Sequence, residues 1–265
     1  VAGTHGKTTT STLLAHVLNE SELKCNAFLG GISSNFNSNL VTSNATENTV
    51  IEADEFDRSF LQLSPFATII TSTDADHLDI YGDASVLVEG FQKYVDLIQE
   101  DGFLVLKHGL PLTSTVKTIT YGIENDLADC SVFNIRFENE KFYFDVRLKD
   151  SIWERVEFGL PGIHNAENAL ACIVFCLELG LTETEIRHAF ITFKGVKRRF
   201  EYYIANQDVV YIDDYAHHPT EIKALLDSVK LLYPNRKIVG VFQPHLFSRT
   251  KDFMDDFALQ LSRID

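Results

Sequence analysis

The spacing of apolar residues changes along this chain, and each change predicts a different kind of element. From Lys7 to about Asn19, Leu13, Leu14, Val17 and Leu18 recur at helical spacing. Short apolar runs at Thr49 to Ala53, Ala67 to Ser72 and Phe103 to Lys107 predict buried strands, with a helix from about Ala84 to Gln99 among them. Strands alternating with helices predict a parallel sheet with crossover connections. Between Ser131 and Phe158 the period falls to two: Phe133, Ile135 and Phe137, then Phe142, Phe144, Val146 and Leu148, with Asn139-Glu140 as the turn. That stretch predicts a small antiparallel meander.

His164 to Leu179 is a continuous apolar helix that Gly180 ends in the C′ position. Thr182 starts another, because Thr-x-x-Glu to Glu185 is a capping box. After Arg199 the pattern restarts as strand (Val209 to Ile212), helix (Pro219 to Leu232), strand (Ile238 to Phe242) and helix (about Lys251 to Ser262). A domain boundary is therefore expected near Val196 to Phe200, dividing the chain into 1–197 and 198–265. The second unit, with two strands and two helices, has too small a sheet to stand alone and reads as cut short.

Gly3-Thr4-His5-Gly6-Lys7-Thr8-Thr9 directly precedes the first helix. Glycines let successive N–H groups converge on phosphate oxygens, and the helix adds free N–H groups and the positive end of its dipole. Lys7 supplies a charge for the β and γ phosphates and the Thr8 hydroxyl a ligand for Mg²⁺. The general phosphate-loop pattern is met only in its second half, since Val1 stands where it has glycine. The fold class that follows is α/β: a mostly parallel sheet carrying a phosphate loop, flanked by helices, with a small antiparallel sheet, followed by a partial Rossmann-like α/β domain.

At 265 residues and 45% hydrophobic, the chain can bury one large core or two medium ones. A net charge of -15 argues against nucleic-acid or anionic-membrane partners, which need clustered Lys and Arg. An acidic protein that binds a nucleotide must place its few cations locally. No apolar stretch is long enough to span a membrane. Cys25, Cys130, Cys172 and Cys176 lack metal or redox spacing, so buried free thiols and a cytoplasmic setting are expected.

Polar clusters follow the predicted strands, at the sheet edge where open α/β folds bind ligands. Glu52-Ala53-Asp54-Glu55-Phe56-Asp57 packs carboxylates that repel unless a cation sits among them, which points to a metal. Asp74-Ala75-Asp76-His77-Leu78-Asp79 follows the next strand and is a second metal or substrate candidate. Asn165 and Asn168 share a helix face and carry donors and acceptors suited to a purine edge, with helix capping as the alternative for Asn165. Lys197-Arg198-Arg199 places cations at the junction. Asp213-Asp214-Tyr215-Ala216-His217-His218-Pro219 and Gln243-Pro244-His245-Leu246-Phe247-Ser248-Arg249 would line one wall of a cleft, and zinc at the paired histidines is disfavoured by a mixed ligand set.

Taken in order, the Gly-Thr-His-Gly-Lys-Thr loop, Glu52-Ala53-Asp54-Glu55, Asp76-His77, His164-Asn165 with Asn168, Gly195 with Arg198-Arg199-Phe200, Asp213-Asp214-Tyr215 with His217-His218-Pro219, and Phe242-Gln243-Pro244-His245 with Ser248-Arg249-Thr250 resemble the Mur ligases. These are the ATP-dependent amide-forming enzymes of peptidoglycan assembly. The resemblance implies a central ATPase domain followed by the first part of a Rossmann-like third domain, without the first, UDP-sugar-holding domain. It further implies ATP and Mg²⁺ as cofactors and, as substrates, UDP-N-acetylmuramate and L-alanine, joined through an acyl phosphate. A chain lacking the first domain is expected to bind ATP weakly and to turn over the sugar hardly at all.

On this resemblance Lys7, Glu52 and His77 are catalytic, and Thr8, Glu52 and His77 hold metal. Gly3, Thr4, His5, Gly6, Lys7, Thr8, Thr9, Asn165, Asn168, Arg199 and Asp214 bind ATP, while Tyr215, His217, His245 and Arg249 face the amino acid and muramoyl end. Leu246 departs from the family pattern, which often has arginine there. Alternatives are a muropeptide-recycling ligase that attaches a whole tripeptide to the same sugar, and a phosphate-loop ATPase module without ligase activity.

Overall fold

The computed structural model describes residues 1–76, 78–139 and 141–265. Its helices are α1 (Lys7–Glu20), α2 (Leu78–Tyr81), α3 (Ala84–Val95), α4 (Ile163–Glu178), α5 (Glu183–Thr192), α6 (Pro219–Leu232), α7 (Phe247–Asp252) and α8 (Met254–Leu261). The strands are β1 (Asn26–Ser33), β2 (Ser38–Val41), β3 (Thr49–Ile51), β4 (Ala67–Ile70), β5 (Phe103–Lys107), β6 (Lys117–Ile123), β7 (Cys130–Glu138), β8 (Lys141–Arg147), β9 (Ile152–Phe158), β10 (Glu201–Ala205) and β11 (Val210–Asp213).

One sheet has the order β2-β1-β3 and another β4-β5-β6-β7-β8-β9. Val1 and Ala2 join them. Val1 donates to Ile51 and accepts from Ala53 on one side, while Ala2 donates to Ile69 and accepts from Thr71 on the other. The segment entering the phosphate loop thus lies in the middle of a continuous sheet. Neighbours β1 and β3, and β4 through β7, run parallel, so Glu52, Ser72 and the loop all emerge at the same edge.

The meander forms and continues this sheet, because β7 pairs parallel with β6 on one side and antiparallel with β8 on the other. Its two-residue period is interrupted: the register shifts between Phe133 and Arg136, so Val132 and Ile135 face the core while Phe137 is exposed. Of the expected Asn139-Glu140 turn, Glu140 lies outside the described residues. Apolar residues of α1, α4 and α5 cover one face of the sheet, with Leu13, Val17, Leu170 and Phe190 buried in that core. Phe60, Leu87, Phe91 and Tyr94 cover the other face over β4 and β5. Gly180 takes φ 88° after α4, and the Thr182–Glu185 capping box forms.

The second unit departs from expectation in three ways. The strand at Val210–Asp213 pairs antiparallel with Glu201–Ala205, a strand the apolar pattern did not reveal because most of its side chains are exposed. No strand forms over Ile238 to Phe242. Val239 and Val241 stand 80% and 100% exposed while Ile238 and Phe242 pack on Ile222, Leu226 and Phe257. The segment keeps a strand's alternation, but among the described residues no strand lies beside it to make a ladder. The last helix is broken at Phe253 into α7 and α8.

α6 packs two ways. Leu225, Val229 and Leu232 join the large core, and Ile222 and Leu226 join the small one. Among the described residues no helix is long and apolar enough to cross a membrane. Because α1 carries the phosphate loop and is anchored by fully buried Leu13, Leu13→Ala should cost about 2–5 kcal/mol through lost transfer energy and a residual cavity. Urea unfolding followed by circular dichroism checks this.

Candidate active site

Gly3 and Gly6 adopt φ 130° and 82°, conformations that side chains rarely take. A Cβ at Gly3 would lie 2.3 Å from Thr71 Oγ1, and one at Gly6 2.8 Å from Asn168 Oδ1. The loop is strapped to the segment after β4. Thr4 Oγ1 lies 2.8 Å from Ser72 Oγ and accepts from Asp74 N, and His5 N donates to Ser72 Oγ at 2.8 Å. No side chain caps α1 at Gly6, so its first N–H groups point at the mouth of the loop.

The acidic run after β3 separates into distinct carboxylates rather than one cluster. Glu52 accepts from Thr8 Oγ1 at 2.9 Å, Ser11 Oγ at 3.3 Å and Gly30 N at 2.7 Å. A side chain at residue 30 would collide with it, since a Cβ there falls 2.3 Å from Glu52 Oε1. Glu55 is fully buried and bonds Lys7 Nζ through both oxygens, at 2.9 and 2.8 Å. Asp54 and Asp57 bond backbone N–H groups at the surface. The mutual repulsion expected from sequence is thus relieved by divergence and by Lys7.

Thr8, in the first turn of α1, and Glu52, just after β3, together present hard oxygen ligands, a set that suits Mg²⁺ completed by phosphate and water. Among the described residues no group of three or more His, Cys, Asp or Glu gathers as a metal cage. The third predicted metal ligand, His77, lies outside the described residues.

The second unit meets the loop through the first turn of α6. His218 caps that helix by accepting from Thr220 N, and Glu221 reaches back to the N–H groups of His217 and His218 at 2.9 and 3.2 Å. The Glu221 carboxylate also lies 3.4 Å from His5 Nδ1, 3.3 Å from His217 Nδ1 and 3.8 Å from Arg199 Nη1. Burial pushes its pKa up, but His5, His217 and Arg199 outweigh that and hold it far below the ordinary carboxylate range. Asp76 and Arg249 make a second joint, a buried two-pronged ion pair at 2.9–3.1 Å.

Arg249, expected to face substrate, is therefore committed to Asp76. Tyr215 lies under Arg198 and Arg199, with ring-to-guanidinium distances of 4.9 and 5.3 Å. His217 stands between Tyr215 and exposed His245, at ring separations of 4.9 and 6.2 Å. Asn168 packs on Gly6, while Asn165 donates to Pro161 O at 2.7 Å and so braces the turn before α4 without capping it. Beside them, burial lowers His164 to about 4.

Two residues of the site escaped sequence reasoning in any individual role. Glu55 was visible only as part of an acidic run. Glu221 had a signal, Pro at the first helical position with Glu two residues later as in a capping box, which points to a helix start but not to its contacts with the loop.

A glycine-lined loop at the C-terminal edge of a parallel sheet, beside a carboxylate and faced by a second α/β unit, is the arrangement of the α/β folds that hold ligands at that edge. Residues 1–176 match the Mur ligase middle domain and residues 198–265 the Mur ligase glutamate ligase domain. The chain belongs to the Mur ligase family.

It is 50% identical over its whole length to the UDP-N-acetylmuramate--L-alanine ligase of Christiangramia forsetii and 51% identical to that of Flavobacterium psychrophilum, covering 57% and 58% of those proteins. Among solved structures, UDP-N-acetylmuramate-alanine ligase from Thermotoga maritima superposes with a TM-score of 0.84 at 32% identity, over 99% of this chain and 59% of that one. A murein peptide ligase from Psychrobacter arcticus gives 0.65 at 25% identity, over 92% and 56%. The chain thus spans less than three-fifths of the length of these relatives.

Asp214 offers a test at the junction of the two units. Burial raises its carboxyl to about 6, although Phe200 N and Ala216 N both donate to it. A folded pKa above the unfolded 3.8 means that the folded state holds the proton more tightly between those values, so this group's contribution to stability falls as pH rises from about 4 to about 6. The stability difference between the parent and Asp214→Asn should therefore shift against the parent over that window, in denaturant titrations at stepped pH; subtraction removes the contributions of groups not coupled to Asp214.

Proposed function

We propose that this chain supplies the nucleotide-binding and amino-acid-side parts of a ligase that uses ATP to join the lactyl carboxylate of UDP-N-acetylmuramate to the amine of L-alanine. The observation that carries this reading is that Lys7, paired with Glu55, and Thr8, bonded to Glu52, open a loop against which a second unit lies, with Glu221 3.4 Å from His5. A simple ATPase has no need of that second wall. The alanine ligases at about half identity over the whole chain support the choice of substrates.

A carboxylate is a poor electrophile, so its oxygen must first be made a leaving group. In the proposed reaction the lactyl carboxylate takes the γ-phosphoryl of ATP and releases ADP. The alanine amine then adds to the acyl carbon, and the tetrahedral adduct loses phosphate and a proton to leave the amide. Lys7 would meet the charge of the transferring phosphoryl oxygens, aided by the free N–H groups that open α1. Thr8 and Glu52 would hold Mg²⁺, which when bound offsets phosphate charge.

Arg199 would approach the phosphates from the second unit, and Asp214 would take a ribose hydroxyl on a free lone pair. Asn165 and Asn168 would contact adenine, Asn168 from its place beside Gly6 of the loop. Tyr215, His217 and exposed His245 would face the amino acid. The buried, unpaired state of Cys25, Cys130, Cys172 and Cys176 supports a cytoplasmic setting.

Isothermal titration of the chain with a non-hydrolysable ATP analogue should show tighter binding with Mg²⁺ than without. Gly30→Ala, which pushes Glu52 from its place beside Thr8, should remove most of that gain while leaving metal-free binding nearly unchanged. In the full-length protein, phosphate release should require both UDP-N-acetylmuramate and L-alanine. ATP hydrolysis indifferent to alanine would refute the ligase reading.

A further inference from the structure

The charge in the phosphate loop is already engaged. Lys7 is the first residue of α1, and two of the three donors on its ammonium are taken by Glu55. The two partners differ in freedom. Glu55 is fully buried, and its carbonyl accepts from Tyr81 Oη and from Arg58 N, so the backbone beneath the carboxylate is held from two sides. Lys7 rides on a flexible four-carbon stem and is 13% exposed. If the pair opens, the lysine is the member that moves.

We propose that Glu55 is a positioning residue that parks Lys7, and that an incoming triphosphate takes the ammonium away from this carboxylate instead of sharing it. This rests on the nucleotide reading given above. Electrostatics favours exchange over sharing, because a buried carboxylate and a multiply charged phosphate repel strongly across a few ångströms of protein. Burial pushes the Glu55 carboxyl up, and Lys7 is the principal opposing influence, with Asp54 adding to the upward push. The acid is thus adapted to one particular cation.

A carboxylate that merely braced the lysine for its ligand would strengthen nucleotide binding. One that competes for the lysine weakens it. Glu55 therefore sets nucleotide affinity by subtraction, and it gives the lysine a single place to wait near the loop.

The test is calorimetric titration of the chain with a non-hydrolysable ATP analogue in the presence of a metal chelator, so that binding reads protein contacts with the phosphates alone. Glu55→Gln, which keeps the shape and removes the charge, should bind about tenfold more tightly than the parent. Glu55→Asp, which lengthens the pair but keeps a carboxylate, should bind about threefold more tightly and serves if the Gln variant folds poorly. Equal or weaker binding by these variants, with the parent binding normally, overturns the role assigned to Glu55. Absence of binding by parent and variants alike, with and without Mg²⁺, overturns the nucleotide reading itself and with it this proposal.

A thermal melt gives a readout free of ligand. Lys7→Ala should lower the Tm by leaving Glu55 buried beside no cation, and adding Glu55→Gln should restore most of the loss. Additive losses in the double variant would also overturn the pairing on which the proposal stands.

Discussion

The hydrogen bonds that Val1 and Ala2 make to both neighbours are the constraint on which the site depends. By tying β3 to β4 through one short segment, they merge the two groups of strands into one sheet and force the chain to leave it at the middle of the ligand-binding edge. Gly3 and Gly6 then turn the backbone where a side chain would strike Thr71, Ser72 or Asn168. Thr8 falls beside Glu52 and Lys7 beside Glu55 because α1 starts from that fixed point. Shifting the segment by one residue would put the loop's side chains on the wrong face and undo each of these pairs.

The second unit is held by apolar burial and by charge together. Its own core is small, built on Ile222, Leu226 and Phe257, and the other side of α6 leans on the large core. Two charged contacts cross to the first unit, Glu221 beside His5 and the buried Asp76–Arg249 pair, while His217 and Arg199 flank Glu221 from within the second unit. Buried ion pairs contribute little net stability but are costly to break on one side, so they specify orientation. That suits a wall whose task is to place side chains against the phosphate loop.

Much of the fold was legible because local rules wrote it. α6 occupies the predicted Pro219–Leu232, the capping box at Thr182 forms, and the alternation of Phe142, Phe144 and Val146 does make a strand. The phosphate loop was legible because its glycines and lysine are contiguous. β1 and β2 were not, since Gly30, Gly31 and several polar residues interrupt the apolar pattern of strands whose outer faces are exposed. Ile238 to Phe242 has a strand's pattern and lacks a neighbour, which no local rule reports. The pairing of carboxylates was hidden for a related reason. Lys7 and Glu55 are separated by 48 positions, and Asp76 and Arg249 by 173, so their meeting is a property of topology and not of spacing.

These pairings change how a chain of net charge -15 can hold an anion. Near the loop Lys7 is bonded by Glu55, Arg249 by Asp76 and Lys107 by Glu167, and Arg199 lies against Glu221. Among the described residues, a positive pole not committed to a carboxylate is the set of N–H groups that opens α1. On the proposed reading, triphosphate binding to such a site would be an exchange of counter-ions more than the filling of a basic hole. A divalent ion arriving with the phosphates would find Thr8 and Glu52 already side by side and would supply the charge that the protein's own cations withhold. Discrimination between a metal-loaded triphosphate and a simple anion would then follow from the way the carboxylates are paired.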